Sequence, residues 1–257
     1  MATPDATPWI RALRASHDKL AGLIAGLDGD GLRTRSFAKE WTIADVLSHL
    51  GSGAEIFQLS LTAGLTGGQA PGAAEFHPIW DKWNARSPED QAAESVAVNE
   101  ALVSRLESLT QAERETFSVT MFGAMTLDLA GFLGMRLSEH ALHTWDVAVV
   151  LDPAQRVAPD AVALLIDTLP SLSGFLGKPN PAPVKISVTT SDPERALTLD
   201  TGGVSFTQAG ADDAAPATLT LPAETLVRLI AGRLDGTDGI AASGVTVPEL
   251  KAVFPGY

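Results

Sequence analysis

Cysteine is absent from the 257 residues of this chain. That excludes disulfides, thiolate metal ligands and a protein cysteine nucleophile, and it assigns any sulfur chemistry to an imported thiol. Positive charge is scarce as well: 18 Lys and Arg stand against 31 Asp and Glu, a net charge of −13. A surface of that sign repels phosphates, so neither nucleic acid nor an anionic membrane is an expected partner. No run of about 18 apolar residues occurs. The opening MATPDATPWI also lacks a basic stretch followed by an apolar one. A membrane span and a signal peptide are therefore not expected, and a cytoplasmic location is the default.

What is present suits a folded protein. Hydrophobic residues make up 45% of the chain and charged ones 19%, ordinary proportions for a globular protein with ample core. The first two-thirds carry helical periodicity. One helix is expected from Pro8 to Leu27, with Ile10, Leu13, His17, Leu20 and Ile24 on one face. A second opens at Thr42, with Asp45 three residues on as its capping partner, and runs to about Leu65. Its inward face holds Val46, His49, Leu50, Gly53 and Phe57. The Gly- and Pro-rich stretch from Thr66 to Pro88 reads as a long loop. A third helix follows Ser87-Pro88 to about Ser108, a fourth spans Thr126 to Leu151, and a fifth runs from Pro159 to Leu176.

Beyond the linker Gly177–Pro183 the texture becomes β-branched and alternating. Strands are expected at Val184–Thr190, Ala196–Leu199, Val204–Thr207 and Ala217–Leu221, then short helices at Ala223–Gly232 and Pro248–Phe254. The expected fold class is α+β: a four-helix bundle with an extra helix over residues 1–178, then a small α+β domain over 184–257.

The chemistry concentrates in Arg136-Leu137-Ser138-Glu139-His140-Ala141-Leu142-His143-Thr144-Trp145-Asp146. Glu139 and His143 stand one helical turn apart, offset by about 40°. A carboxylate and an imidazole so placed can grip one divalent cation. Any single Glu-x-x-x-His is more commonly a surface pair worth a few tenths of a kcal/mol. A third donor changes the balance, and His49, on the inward face of another helix, can supply it; taken alone, His49 is more commonly a hydrogen-bonded core histidine. His17 is a reserve ligand on an apolar face, His140 is rotated about 100° from Glu139, and His77 is a loop residue at most near the entrance. Asp146 can orient the site from behind and Arg136 can balance its charge, or the two can form a plain inter-helix pair.

Two motifs resemble a known family. Trp41-Thr42-Ile43-Ala44-Asp45-Val46-Leu47-Ser48-His49-Leu50 is similar to the second-helix motif of DinB/YfiT-like metal-binding bundles. Arg136-x-x-Glu139-x-x-x-His143-x-x-Asp146 resembles the fourth-helix signature of one branch, the mycothiol-dependent maleylpyruvate isomerase family, where Glu stands at the position other DinB-like proteins fill with His. The tail, through Leu226–Arg233 and Gly244–Leu250, is similar to that branch's second domain.

The resemblance implies that His49, Glu139 and His143 bind a divalent metal, zinc being the usual one, and that mycothiol serves as thiol co-substrate. An open metal site stabilises thiolate over thiol, and the thiolate attacks a small electrophilic substrate. The implied activity is metal- and mycothiol-dependent transfer or isomerisation, with transfer favoured as the broader activity. Arg233 and Arg228 are candidates to hold the polar part of the thiol, although exposed arginines explain both equally well. A metal-dependent hydrolase, in which the cation ionises water instead, is the enzymatic alternative. A non-catalytic metal- or ligand-binding stress protein is the other. Either a monomer or a homodimer is compatible with these features.

Overall fold

The computed structural model describes residues 5–38, 40–210, 215–234, 236 and 239–256, with every side chain among them but those of Ser171, Leu172 and Phe175. The chain divides into two compact units that meet between Val157 and Ala158.

The first unit begins with α1 (Thr7–Ile24), the short α2 (Gly29–Leu32) and α3 (Ile43–Thr66). There follow α4 (Ala73–Asn84), α5 (Pro88–Glu107), α6 (Gln111–Thr116), a hairpin of β1 (Val119–Met121) and β2 (Met125–Leu127), and α7 (Leu129–Leu151). Helix α3 packs on α5 and α7, and α1 packs on α7 and α5, which closes a four-helix bundle. Part of its core is Leu20, Ile24, Ile43, Val46, Leu47, Leu50 and Val147.

The caps follow the sequence. The Thr42 hydroxyl accepts the Asp45 N–H at 3.1 Å while the Asp45 carboxylate accepts the Thr42 N–H at 2.8 Å, satisfying two donors the first turn leaves open. Asp128 caps α7 by accepting the Gly131 N–H at 2.9 Å. Gly67 ends α3 at φ +69°, the left-handed conformation glycine adopts without steric cost.

Two expectations are corrected in this unit. The stretch 66–88 is not one long loop: α4 occupies most of it, with Pro78 inside the helix. Phe76 and Trp83 are buried along it, and the Glu75 carboxylate accepts the Gly72 N–H at 2.9 Å. Burying two large aromatic rings outweighs the glycine and proline content that suggests a loop. The fourth helix also starts three residues later than expected, at Leu129, because Met125–Leu127 pairs with Val119–Met121 instead.

The second unit holds α8 (Pro159–Leu165), a 3-10 turn (Ile166–Thr168) and α9 (Leu169–Leu176) in place of the one continuous helix expected. Pro170 has no N–H to continue the helical ladder. Next come β3 (Lys185–Ser191), β4 (Arg195–Asp200), β5 (Ser205–Gln208), β6 (Ala217–Pro222), α10 (Ala223–Ile230), β7 (Ala241–Ser243) and α11 (Val247–Val253). The strands form one sheet in the order β5-β4-β3-β6-β7, with β3 and β6 parallel and the other neighbours antiparallel. Ile186, Val188, Leu197, Leu199 and Leu219 of the sheet are buried, as are Leu226, Leu229 and Ile230 of α10.

The sequence suggests a domain boundary at the 177–183 linker. The compact units instead place α8 and α9 with the strands, where α9 packs on β5, α10 packs on α8, and Asp167 pairs with Arg195 at 2.7 Å. The fold class is α+β, with the helical bundle N-terminal as expected. No helix among the described residues is long and apolar enough to cross a membrane.

Candidate metal centre

Position 49 lies two turns into α3, past the Thr42 cap, and its side chain leans toward α7. The structure brings His49, Glu139 and His143 together, their nearest donor atoms all within 4.8 Å of one another. His49 Nε2 lies 2.9 Å from Glu139 Oε2, and His143 Nε2 lies 3.7 Å from the same oxygen. The imidazole centroids are 4.7 Å apart at 63°. Two imidazole nitrogens and one carboxylate oxygen are a donor set suited to zinc or a similar divalent ion. Glu139 keeps 47% of its side chain accessible, so the cluster faces an opening.

His143 is held from behind. Its Nδ1 is 2.8 Å from Asp146 Oδ2, and Asp146 is fully buried. A carboxylate there holds the Nδ1–H, so that whenever the imidazole is neutral its Nε2 lone pair faces Glu139 and His49. The Asp146 main chain also anchors the segment before α3. Its carbonyl accepts the Phe37 N–H at 3.0 Å, while the Phe37 ring packs on Trp145 with centroids 4.7 Å apart. Further along the same segment, the Ser36 N–H donates to the Trp41 carbonyl at 2.9 Å. This docking sets the Trp41 ring over both imidazoles, at 5.6 Å and nearly parallel to His143 and at 5.1 Å from His49.

Electrostatics favour an ionised carboxylate. Surrounding protein atoms push the Glu139 carboxyl up, but the His49 hydrogen bond, His143 and Arg136 more than reverse this, and its pKa falls to about 2.

The remaining histidines go elsewhere. His17, the reserve ligand, points to α5, with Nε2 3.1 Å from Glu100 Oε2. His17, Asp18 and Glu100 do cluster, but Arg14 engages both Glu100 oxygens and also Glu107, so a cation already sits there. His140 is fully buried, its Nδ1 2.8 Å from Ser16 Oγ. His77 is exposed on α4 beside Trp80, not in a loop.

Arg136 is 1% exposed and reaches across to α3 rather than pairing with Asp146: its Nη2 donates to the Leu50 carbonyl at 2.9 Å and to Asn99 Oδ1. In the second unit Arg228 is 7% exposed; its Nε donates to Glu224 at 2.8 Å and its Nη1 to the Arg233 carbonyl at 3.2 Å. Arg233 lies just beyond α10, its Nη1 donating to the Ala231 carbonyl at 3.1 Å.

Sequence reasoning assigns no role to Trp41 or Asn99. Trp41 carries a usable signal, since it immediately precedes the cap of the helix bearing His49. Asn99, on the weakly amphipathic α5, carries none.

A four-helix bundle with a two-histidine, one-carboxylate centre between α3 and α7, followed by an α+β unit, defines a class of architecture that known proteins share. The family model described as the mycothiol maleylpyruvate isomerase N-terminal domain matches residues 13–148, over half the chain, and this chain belongs to that family. The fold is similar to the crystal structure of the mycothiol-dependent maleylpyruvate isomerase, with a TM-score of 0.69 and 15% identity over 97% of this chain and 98% of that one. A crystal structure of that isomerase with one histidine replaced by alanine gives a TM-score of 0.68, with the same identity and coverage. No curated protein matches the sequence.

Proposed function

We propose that this chain is a metal-dependent enzyme that uses a low-molecular-weight thiol, mycothiol by its family, to isomerise a small electrophilic substrate. The observation that carries the reading is the convergence of His49, Glu139 and His143 with buried Asp146 behind them, in a chain without cysteine. A bound divalent cation supplies Lewis acidity that favours thiolate over thiol at neutral pH. The chain's own residues do the rest. Asp146 keeps the His143 Nε2 lone pair aimed at the centre, and Glu139 contributes negative charge at its open side. Trp41 covers the imidazole pair and limits the approach of water.

In the isomerisation, the thiolate sulfur adds to one carbon of an activated double bond and the electron pair moves onto the conjugated acceptor. The new single bond rotates, and expulsion of the same thiolate restores the double bond in the other geometry. Transfer of the thiol to an electrophile shares the first step and ends with the thioether retained. Breadth alone favours transfer, and family membership moves the balance toward isomerisation. Zinc is the proposed metal. Arg233 and Arg228 stay proposed for the polar groups of the thiol, and Arg233→Ala is expected to raise the thiol KM while leaving metal content unchanged.

The test combines metal analysis of the purified protein with assays on unsaturated keto acids and other electrophiles, with and without mycothiol. Stoichiometric metal that is lost in His49→Ala and His143→Ala, together with thiol-dependent turnover, supports the proposal. Turnover without thiol would establish the hydrolase instead. Metal binding without turnover across the panel would leave only a binding module.

A further inference from the structure

Arg136 carries a full charge into a bundle core, a costly placement that needs a reason. Its guanidinium lies where three helices meet. Nη2 donates to the Leu50 carbonyl on α3 and to Asn99 Oδ1 on α5, and Asn99 Nδ2 also reaches the Leu50 carbonyl at 3.4 Å. Asn99 is itself fixed, its Nδ2 donating to the Ser95 carbonyl at 2.8 Å. Leu50 is the residue after His49, and Arg136 stands one turn before Glu139 on α7.

The sequence makes room for this contact. A Cβ on Gly53 would lie 2.9 Å from Arg136 Nη1, so a glycine on the α3 face toward α7 lets the guanidinium reach a helix carbonyl. The Phe57 ring, one turn further along, lies 5.5 Å from the guanidinium carbon. Arg136 Nε has no hydrogen-bond partner among the described residues. An unsatisfied buried donor is a cost that packing alone would not select.

We propose that Arg136 is a positioning residue for the centre, pinning the α3 main chain beside His49 to the α7 segment that carries Glu139 and His143, through a gap opened by Gly53. This deepens the metal-centre reading and rests on it. The donors come from two separate helices, so their spacing depends on how α3 and α7 sit along and across one another. Arg136 and Asn99 together hold one carbonyl of α3 against both neighbouring helices. A small slide of α3 against α7 moves His49 relative to the other two donors, and metal sites lose affinity steeply with such displacement.

The test uses the full chain and four variants, Arg136→Met, Arg136→Lys, Gly53→Ala and Val103→Ala. Val103 is a buried α5 residue 1% exposed and serves as a control for stability loss alone. Each is titrated with Zn(II) against a chromophoric chelator, the visible spectrum of the Co(II)-loaded form is recorded, and the metal-free melting temperature is measured. Arg136→Met is expected to weaken Zn(II) binding roughly 10–100-fold and to alter the Co(II) bands. Gly53→Ala, which keeps the charge but crowds the guanidinium, shifts both in the same direction. Arg136→Lys, whose ammonium can donate to the same two acceptors, recovers part of the loss. Val103→Ala melts lower with affinity and spectrum intact.

Folded Arg136→Met and Gly53→Ala with wild-type affinity and spectrum would overturn the assignment of Arg136 alone. So would a Val103→Ala variant that loses affinity in step with stability. A wild-type protein that binds neither metal overturns the metal-centre reading and this inference with it. If Arg136→Met does not fold, Gly53→Ala and Arg136→Lys carry the same comparison.

Discussion

Asp146 shows most clearly how single residues make this centre. It is fully buried, bonded to His143 Nδ1, and its main-chain carbonyl anchors the segment that presents Trp41. Asp146→Asn preserves shape but removes the charge that fixes the imidazole. Its Zn(II) affinity is expected to fall roughly 10–100-fold with little change in fold, measured by chelator competition alongside circular dichroism. Trp41 gives an optical reading of the same event. Its ring lies within 5.6 Å of both imidazole centroids. Metal loading is therefore expected to change tryptophan emission in the wild type, with that change largely lost in Trp41→Phe.

The residue pattern is readable in advance because Glu139, His143 and Asp146 are spaced for one helix and local geometry fixes their relation. The direction in which Arg136 points is not. Its side chain could balance charge locally or cross to another helix; the gap at Gly53 leaves it room to cross, and the Leu50 carbonyl and Asn99 receive it there.

At the scale of elements, α3 is the part on which the centre depends. Its start is set by the reciprocal Thr42–Asp45 cap, and Thr42→Ala is expected to cost about 1 kcal/mol in urea denaturation. The same change loosens the turn that carries Trp41. One flank of α3 is pressed against α4, where a Cβ on Gly51 would fall 2.2 Å from the Trp83 ring. Gly51→Ala is expected to destabilise the protein by about 1–3 kcal/mol, since a rigid buried indole must move. This contact also explains why the composition of the 66–88 stretch points the wrong way. Glycine and proline content reports local preference, whereas α4 exists because Phe76 and Trp83 have a surface to bury against.

For the whole molecule, charge and burial predict how stability depends on pH. Burial pushes His140 well below its ordinary value of 6.5, and it pushes His17 down as well. Both therefore take up protons less readily in the folded state than in the unfolded chain, which binds them as pH falls through about 6.5, so stability declines on acidification from that point. Glu100 adds a second limb. The Arg14 and Ser104 hydrogen bonds lower its carboxyl from 4.5 to about 2, so its contribution is present above about pH 4.5 and is lost as pH falls toward 2. Urea midpoints across this range are expected to fall in two stages. His140→Gln should flatten the first, and Glu100→Gln should make the second shallower without abolishing it, since Glu139 and Glu113 are lowered to about 2 as well. The division into two units adds another expectation. Every donor of the centre, with Asp146, Trp41, Arg136 and Asn99, lies before Val157, so a fragment of residues 1–157 that folds should retain stoichiometric metal.

The sequence by itself determined the helical bundle, the later strands, the α+β class and the candidate donors. Periodicity, caps and turn residues act over a few positions, and a helix converts spacing directly into direction. Tertiary structure alone decided that 73–84 would be helical, that α8 and α9 would join the second unit, that Trp41 would lie against His49 and His143, and that Asn99 would accept from Arg136. It also decided that His49 would meet Glu139 and His143 while His17 and His140 would not. All five histidines carry the same local chemistry. Which of them converge depends on how α3, α5 and α7 pack, through long-range contacts such as Arg136 on the Leu50 carbonyl that no local pattern encodes.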